Sequence, residues 1–136
     1  MAIMAPTALK NTSKIDSFGS KILIIDDDDQ FLGLMTRHLK EKGFQHVFLA
    51  RNGEEGVKQA MALKPEIVIL DIVLPPTDGF SVCKQLIRIP GLEATKVIIV
   101  TNSFKNLDPK RSRRVGANIY TLKSKDFSCI MEAIAK

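Results

Sequence analysis

The stretch KILIIDDDDQFLGLMTRHLKEKG, from Lys21 to Gly43, decides the fold. Ile22 to Ile25 form a short, unbroken apolar run, which predicts a buried strand. Asp26 to Asp29 end that run abruptly. Beyond them Phe31, Leu32, Met35 and Leu39 recur at helical spacing, which predicts a helix with one apolar side that ends near Gly43. A strand, a run of acids and an amphipathic helix form one α/β unit.

The rest of the chain repeats the unit. Val47 to Leu49 predicts a second strand, and Asn52 with Glu55 three residues on predicts a capped helix stopped at Pro65. Ile67 to Leu70 predicts a third strand, followed by a helix from about Gly79 to Ile87. Val97 to Val100 predicts the fourth. Asp108-Pro109 reads as a cap with proline at the first helical position, opening a short basic helix that Gly116 ends. Asn118 to Thr121 predicts a fifth strand, and Asp126 a cap for a last helix containing Phe127, Ile130, Met131 and Ile134. Five strands alternating with five helices predict an α/β fold with a parallel sheet covered on both faces.

The 136 residues, 45% of them hydrophobic, suffice for one core. Residues 1–19, with Pro6, Gly19 and several Ser and Thr, show no periodicity and are expected as a flexible extension, leaving 20–136 as the domain. The apolar runs fall far short of the roughly 18 to 20 residues of a membrane span, and the N-terminus lacks the apolar centre of a signal peptide, so the cytoplasm is the expected location. Cys83 and Cys129 fit reduced thiols in helices rather than a disulfide framework.

Ligands of open α/β sheets bind beyond the carboxyl ends of the strands. The acids collect there: Asp26 and Asp27 follow the first strand and Asp71 the third, while Thr101 ends the fourth and Lys123 lies just past the fifth. Carboxylates gathered at one point need raised pKa values or a cation, and oxygen-only ligation favours Mg²⁺. Asp71 is open to two roles, metal ligand or nucleophile toward phosphorus, since aspartate can form an acyl phosphate. In the second role Lys123 would neutralise one phosphoryl oxygen and Thr101 would hydrogen-bond another.

The joint pattern resembles the receiver domain of response regulators in two-component phosphorelays, the chemotaxis regulators among them. The matching pieces are ILIIDDD (22–28), DIVLPPTDG (71–79), VIIVTN (97–102) and GANIYTLK (116–123). The resemblance implies a flavodoxin-like five-stranded parallel sheet in the order 2-1-3-4-5. It implies Asp71 as the phosphoacceptor, Mg²⁺ on Asp26, Asp27, Asp71 and the Val73 carbonyl, and Lys123 as the phosphate-binding lysine. Thr101 and Tyr120 would be the switch pair. The partners implied are a histidine kinase or histidine phosphotransfer protein upstream, and a protein partner or separate output domain downstream. Such a domain is no conventional enzyme, but it promotes its own phosphorylation and dephosphorylation.

Three positions depart from the family pattern. Ser124 replaces the proline that usually follows the lysine across a cis bond, Asn102 replaces a small residue, and Thr77 replaces an apolar one. They leave open a receiver-like interaction module that signals without phosphorylation. A flavin carrier or dinucleotide enzyme would need a phosphate-cradling loop where the acid run stands.

The net charge of +5 is concentrated, since Lys105 to Lys125 carries +6 and the remainder −1. Lys110, Arg111, Arg113 and Arg114 form an expected protein-docking patch, with a solvated helix face as the alternative. The absence of interleaved aromatics and of a separate recognition helix argues against direct nucleic-acid binding.

Overall fold

The computed structural model describes residues 19–102, 110, 114–117 and 119–136. The elements are β1 (Lys21–Ile25), α1 (Asp29–Glu41), β2 (His46–Ala50), α2 (Gly53–Leu63), β3 (Ile67–Asp71), β4 (Val73–Leu74), β5 (Thr77–Asp78), α3 (Gly79–Leu86), β6 (Lys96–Thr101), β7 (Ile119–Leu122) and α4 (Ser128–Ala135). Five strands form one sheet in the order β2-β1-β3-β6-β7, and all its pairings are parallel. This is the expected 2-1-3-4-5 order once the β4-β5 hairpin, a separate antiparallel pair, is set aside.

Side chains alternate across a strand, so each strand feeds two cores. Ile22, Ile24, Ile67, Ile69, Ile98 and Val100 face α1 and α4, packing with Leu32, Met35, Leu39, Ile130 and Ile134. Leu23, Ile25, Val68, Leu70, Val97 and Ile99 face the other way, onto Ala60 of α2 and Phe80, Val82, Cys83 and Leu86 of α3. β3 is buried along its whole length, as a central parallel strand should be. Among the described residues no helix is long and apolar enough to cross a membrane.

The helix ends follow from local chemistry. Asp28 caps α1, accepting from the Gln30 and Phe31 amides, and Asn52 caps α2 by accepting from the Glu55 amide. Glu55 reaches back to the Arg51 amide at 2.7 Å, one residue earlier than a standard capping box. Asp78 caps α3 through the Ser81 amide.

Several expectations change. Asp71 is the last residue of β3, not the residue after it. The segment after Asp71 is a hairpin, and Thr77 is part of it. Phe127 is not inside the last helix: it occupies the cap position with φ 61° and makes no side-chain cap, while Asp126 accepts from the Ser128 amide one residue further on. The left-handed turn brings the Phe127 ring edge-on to Phe31 at 5.9 Å, so aromatic packing prevails over the standard cap. The Lys123-Ser124 bond is trans, and the cis peptide among the described residues is Pro75-Pro76. The extension expected at 1–19, apart from Gly19, and the basic helix, apart from Lys110 and residues 114–116, lie outside the described residues, as does Asn118.

Gly79 holds the hairpin against the end of β3. Its amide donates to the Ile72 carbonyl at 2.7 Å, and a Cβ there would run into the Asp71 carbonyl oxygen and sit 2.8 Å from the Ile72 Cα. Backbone cannot yield as a flexible side chain can. Gly79→Ala is therefore expected to destabilise the fold by about 1–2 kcal/mol in urea denaturation; an unchanged midpoint would contradict this close packing.

Candidate functional site: an acidic cluster at the sheet rim

β1 and β3 pair with Ile25 opposite Leu70, so the residues that follow, Asp26 and Asp71, emerge side by side at the carboxyl edge. β6 ends beside them at Thr101, which lies opposite Leu122 of β7. The Lys123 amide donates to the Thr101 carbonyl at 2.8 Å, fixing where the lysine leaves the sheet. Thr101 is fully buried. Parallel register thus brings four of the expected residues to one rim, and Asp27 joins them from the loop.

The acid run divides its work. Asp26 is fully buried, and its Oδ1 accepts from the Asp28 amide at 2.9 Å. Asp27 is exposed at the mouth. Asp28 is the helix cap, and Asp29 pairs with Arg51 at 2.7 Å on the surface, where a pair adds little stability. Carboxylate oxygens of Asp26, Asp27 and Asp71 lie within 4.8 Å of one another.

Opposing these charges is Lys123, its side chain only 7% exposed, with Nζ 2.6 Å from Asp26 Oδ2 and 3.4 Å from Asp71 Oδ2. Among the described residues, the three-carboxylate cluster is thus met by one ammonium, which pairs with Asp26 and Asp71. Burial first, then the Asp26 charge, raise Asp71 to about 6; Lys123 and the Val73 amide, which donates to Asp71 Oδ1 at 3.2 Å, act in the opposite direction. Asp26 Oδ2 is buried and accepts no hydrogen bond, its contact with Lys123 being ionic. The clustered carboxylates carry more negative charge than the Lys123 ammonium balances, and such a set of hard oxygen donors fits a small divalent cation.

The remaining expected residues sit farther out. Val73 opens the hairpin two residues after Asp71. Tyr120, opposite Ile99 in the sheet, is half-buried against the core on the α2-α3 side. Asn102 is exposed just past Thr101. Lys110 and Arg114 are exposed, whereas Arg111 and Arg113 lie outside the described residues.

Sequence reasoning missed Phe31, whose ring lies under Lys123 with Nζ 4.2 Å from its centroid. At helical spacing an apolar residue reads as core, so no sequence signal separated this contact from ordinary packing. Cys83 is a buried core thiol that donates to the Val115 carbonyl at 3.4 Å, and burial pushes it up to about 12, far from a reactive range.

The chain is 36% identical over 115 residues to the protein PilH of Pseudomonas aeruginosa, covering 85% of this chain and 94% of that protein. It is 33% identical over 103 residues to the alkaline phosphatase synthesis transcriptional regulatory protein PhoP of Bacillus subtilis, with 76% of this chain and 42% of that protein covered. It therefore spans nearly all of the first relative but less than half of the second. Its fold superposes on the response regulator TrrA of Thermotoga maritima, solved in complex with Mg²⁺-BeF, with a TM-score of 0.76 and 28% identity over 85% of this chain and 96% of that one. The family model for the response regulator receiver domain matches residues 22–135. With the sheet order, the rim acids and a match over nearly the whole described domain in agreement, the chain belongs to the response regulator receiver domain family.

Proposed function

We propose that Asp71 is the phosphoacceptor, that Asp26 and Asp27 hold Mg²⁺ beside it, and that Lys123 and Thr101 receive the phosphoryl oxygens. The chain acts as a phosphoryl-accepting receiver that promotes its own phosphorylation and dephosphorylation, not as a conventional enzyme. The observation that carries the residue assignment is the convergence of Asp26, Asp27, Asp71 and Lys123 at the ends of neighbouring strands.

In this reading an Asp71 carboxylate oxygen attacks phosphorus as the bond to a phosphohistidine nitrogen breaks, which forms an acyl phosphate. The Lys123 ammonium moves from Asp26 toward a non-bridging oxygen, and the Thr101 hydroxyl donates to another. Asp26, Asp27, Asp71 and the Val73 carbonyl would hold Mg²⁺, which would neutralise charge on the phosphoryl oxygens when bound. Burial and the Asp26 charge raise Asp71 only to about 6 in the metal-free site, which leaves it a carboxylate nucleophile at neutral pH.

The donor is a histidine kinase or histidine phosphotransfer protein. The Thr101 contact, made only once a phosphoryl oxygen is present, redistributes two states that Tyr120 reports. The resulting surface acts on a downstream protein or on an output domain. Lys110 and Arg114 belong to a basic face suited to an acidic partner. Residues 20–136 form the receiver unit, 1–19 are an extension, and the site of action is the cytoplasm.

Calorimetric titration tests the cation assignment. Asp27→Ala is expected to weaken Mg²⁺ binding at least about tenfold, because a hard cation keeping several waters depends on few protein oxygens. Chelation should also stop labelling by a small phosphodonor. Equal Mg²⁺ affinity in the variant would contradict the assignment.

A further inference from the structure

We propose that Phe31 is a positioning residue, its ring face seating the Lys123 ammonium between Asp26 and Asp71. The proposal rests on the phosphate-binding role of Lys123 and adds to it a residue that touches neither phosphate nor metal.

A lysine carries its charge on a flexible four-carbon stem, and nothing in the stem fixes the ammonium. Among the described residues three groups meet it: Asp26 Oδ2 at 2.6 Å, Asp71 Oδ2 at 3.4 Å and the Phe31 ring centroid at 4.2 Å. The first two are acids whose demands change when Asp71 is phosphorylated. The ring is the constant member. Its negative face attracts a cation, most strongly where water is excluded, and Phe31 and the Lys123 side chain are each only 7% exposed. A ring face also has no single docking point, so the ammonium can slide from Asp26 toward Asp71 without leaving it.

The ring is itself fixed from two sides. Phe31 lies in the first turn of α1, where its amide reaches the Asp28 cap at 3.4 Å. Phe127 meets it edge-on, with the planes at 79°. Phe127 holds that place in a left-handed conformation, φ 61°, with its amide donating to the Ser124 carbonyl at 3.0 Å. A bulky residue adopts this conformation at a cost, and the ring contact offsets it. Lys123, Phe31 and Phe127 thus form one packed column from the acids to the start of α4.

Two variants separate positioning from packing. Phe31→Leu keeps an apolar side chain and removes the ring face; Phe31→Tyr keeps the face. In proton–carbon correlation spectra of lysine-labelled protein, the Lys123 side-chain protons should be shifted upfield by the ring in the wild type and in Phe31→Tyr. They should return to the range of exposed lysines in Phe31→Leu. Labelling by a small phosphodonor in Mg²⁺ should slow about tenfold in Phe31→Leu and recover in Phe31→Tyr, with Mg²⁺ affinity unchanged in both. Phe31→Met makes the same comparison should the leucine variant not fold. An unshifted Lys123 signal in the wild type, or Phe31→Leu labelling at the wild-type rate, would overturn the proposal. A parallel fall in Mg²⁺ affinity would overturn it too, by pointing to general loosening. Were the wild type itself to take no phosphoryl group, the phosphoacceptor reading would fail, and the Lys123 resonance would still decide the placement.

Discussion

Lys123→Met is expected to destabilise the metal-free protein by about 3 kcal/mol at neutral pH, because removing one partner of a buried ion pair strands the charge left behind. Methionine fills much of the same volume, so the loss is electrostatic more than steric. Among the described residues Lys123 is the cation within reach of both Asp26 and Asp71, and without it Asp71, already raised to about 6, rises further. A carboxylate whose folded pKa exceeds its unfolded value favours the fold at low pH and loses that contribution as pH rises through the folded value. The deficit should therefore be small near pH 4 and grow above pH 6. Urea denaturation across that range measures it; a deficit independent of pH would show that Lys123 stabilises by packing alone.

Asp71→Asn is expected to do the reverse, stabilising the metal-free fold at pH 7.5 by about 1–2 kcal/mol. Asparagine retains an oxygen for the Val73 amide but carries no charge for burial and Asp26 to oppose. Wild-type stability should fall between about pH 4 and pH 6 as Asp71 ionises in a site that disfavours it, whereas the variant does not titrate there. The gain is set below the full equivalent of the pKa rise because the site opens to solvent at Asp27 and water screens part of the repulsion. Denaturation with a chelator present should show the variant ahead at pH 7.5 and level with the wild type near pH 4. Adding Mg²⁺ should narrow the difference by stabilising the wild type selectively. A variant less stable at pH 7.5 would mean that the Lys123 contact outweighs the repulsion.

Much of this was legible in the sequence, for identifiable reasons. Ile22 to Ile25, Ile67 to Leu70 and Val97 to Val100 are unbroken apolar runs, and only a strand covered on both faces calls for such a run. Once the strands are parallel, Asp26, Asp71, Thr101 and Lys123 must lie at the same end. What escaped was chemistry that depends on contacts between elements. The four consecutive acids look alike in sequence, yet one is buried, one stands at the mouth, one caps α1 and one pairs with Arg51. Phe127 reads as a helical residue by its spacing from Ile130 and Ile134, whereas in its cap conformation its ring packs edge-on against Phe31 and His38, residues about 90 positions earlier in the chain. The β4-β5 hairpin has only two residues per strand, too few for alternation to register.

The three departures from the family pattern bear on the rival reading, a module that signals without phosphorylation. Ser124 follows Lys123 through a trans bond, and its hydroxyl accepts from the Cys129 amide at 3.2 Å, anchoring the loop to α4. Thr77 lies exposed in the hairpin, and Asn102 is exposed past the end of β6. None of the three displaces an acid or the lysine from the rim.

The central claim is that Asp71 carries the phosphoryl group, and reductive trapping tests it without altering the protein. An acyl phosphate on aspartate is reduced by borohydride to homoserine, so treating the chain with a small phosphodonor and Mg²⁺, reducing it and sequencing its peptides by mass spectrometry marks the acceptor. The account predicts homoserine at position 71 and at no other aspartate, with no mark when Mg²⁺ is chelated. A mark at Asp26 or Asp27, or none at position 71 in a protein whose intact mass shows phosphorylation, would contradict it.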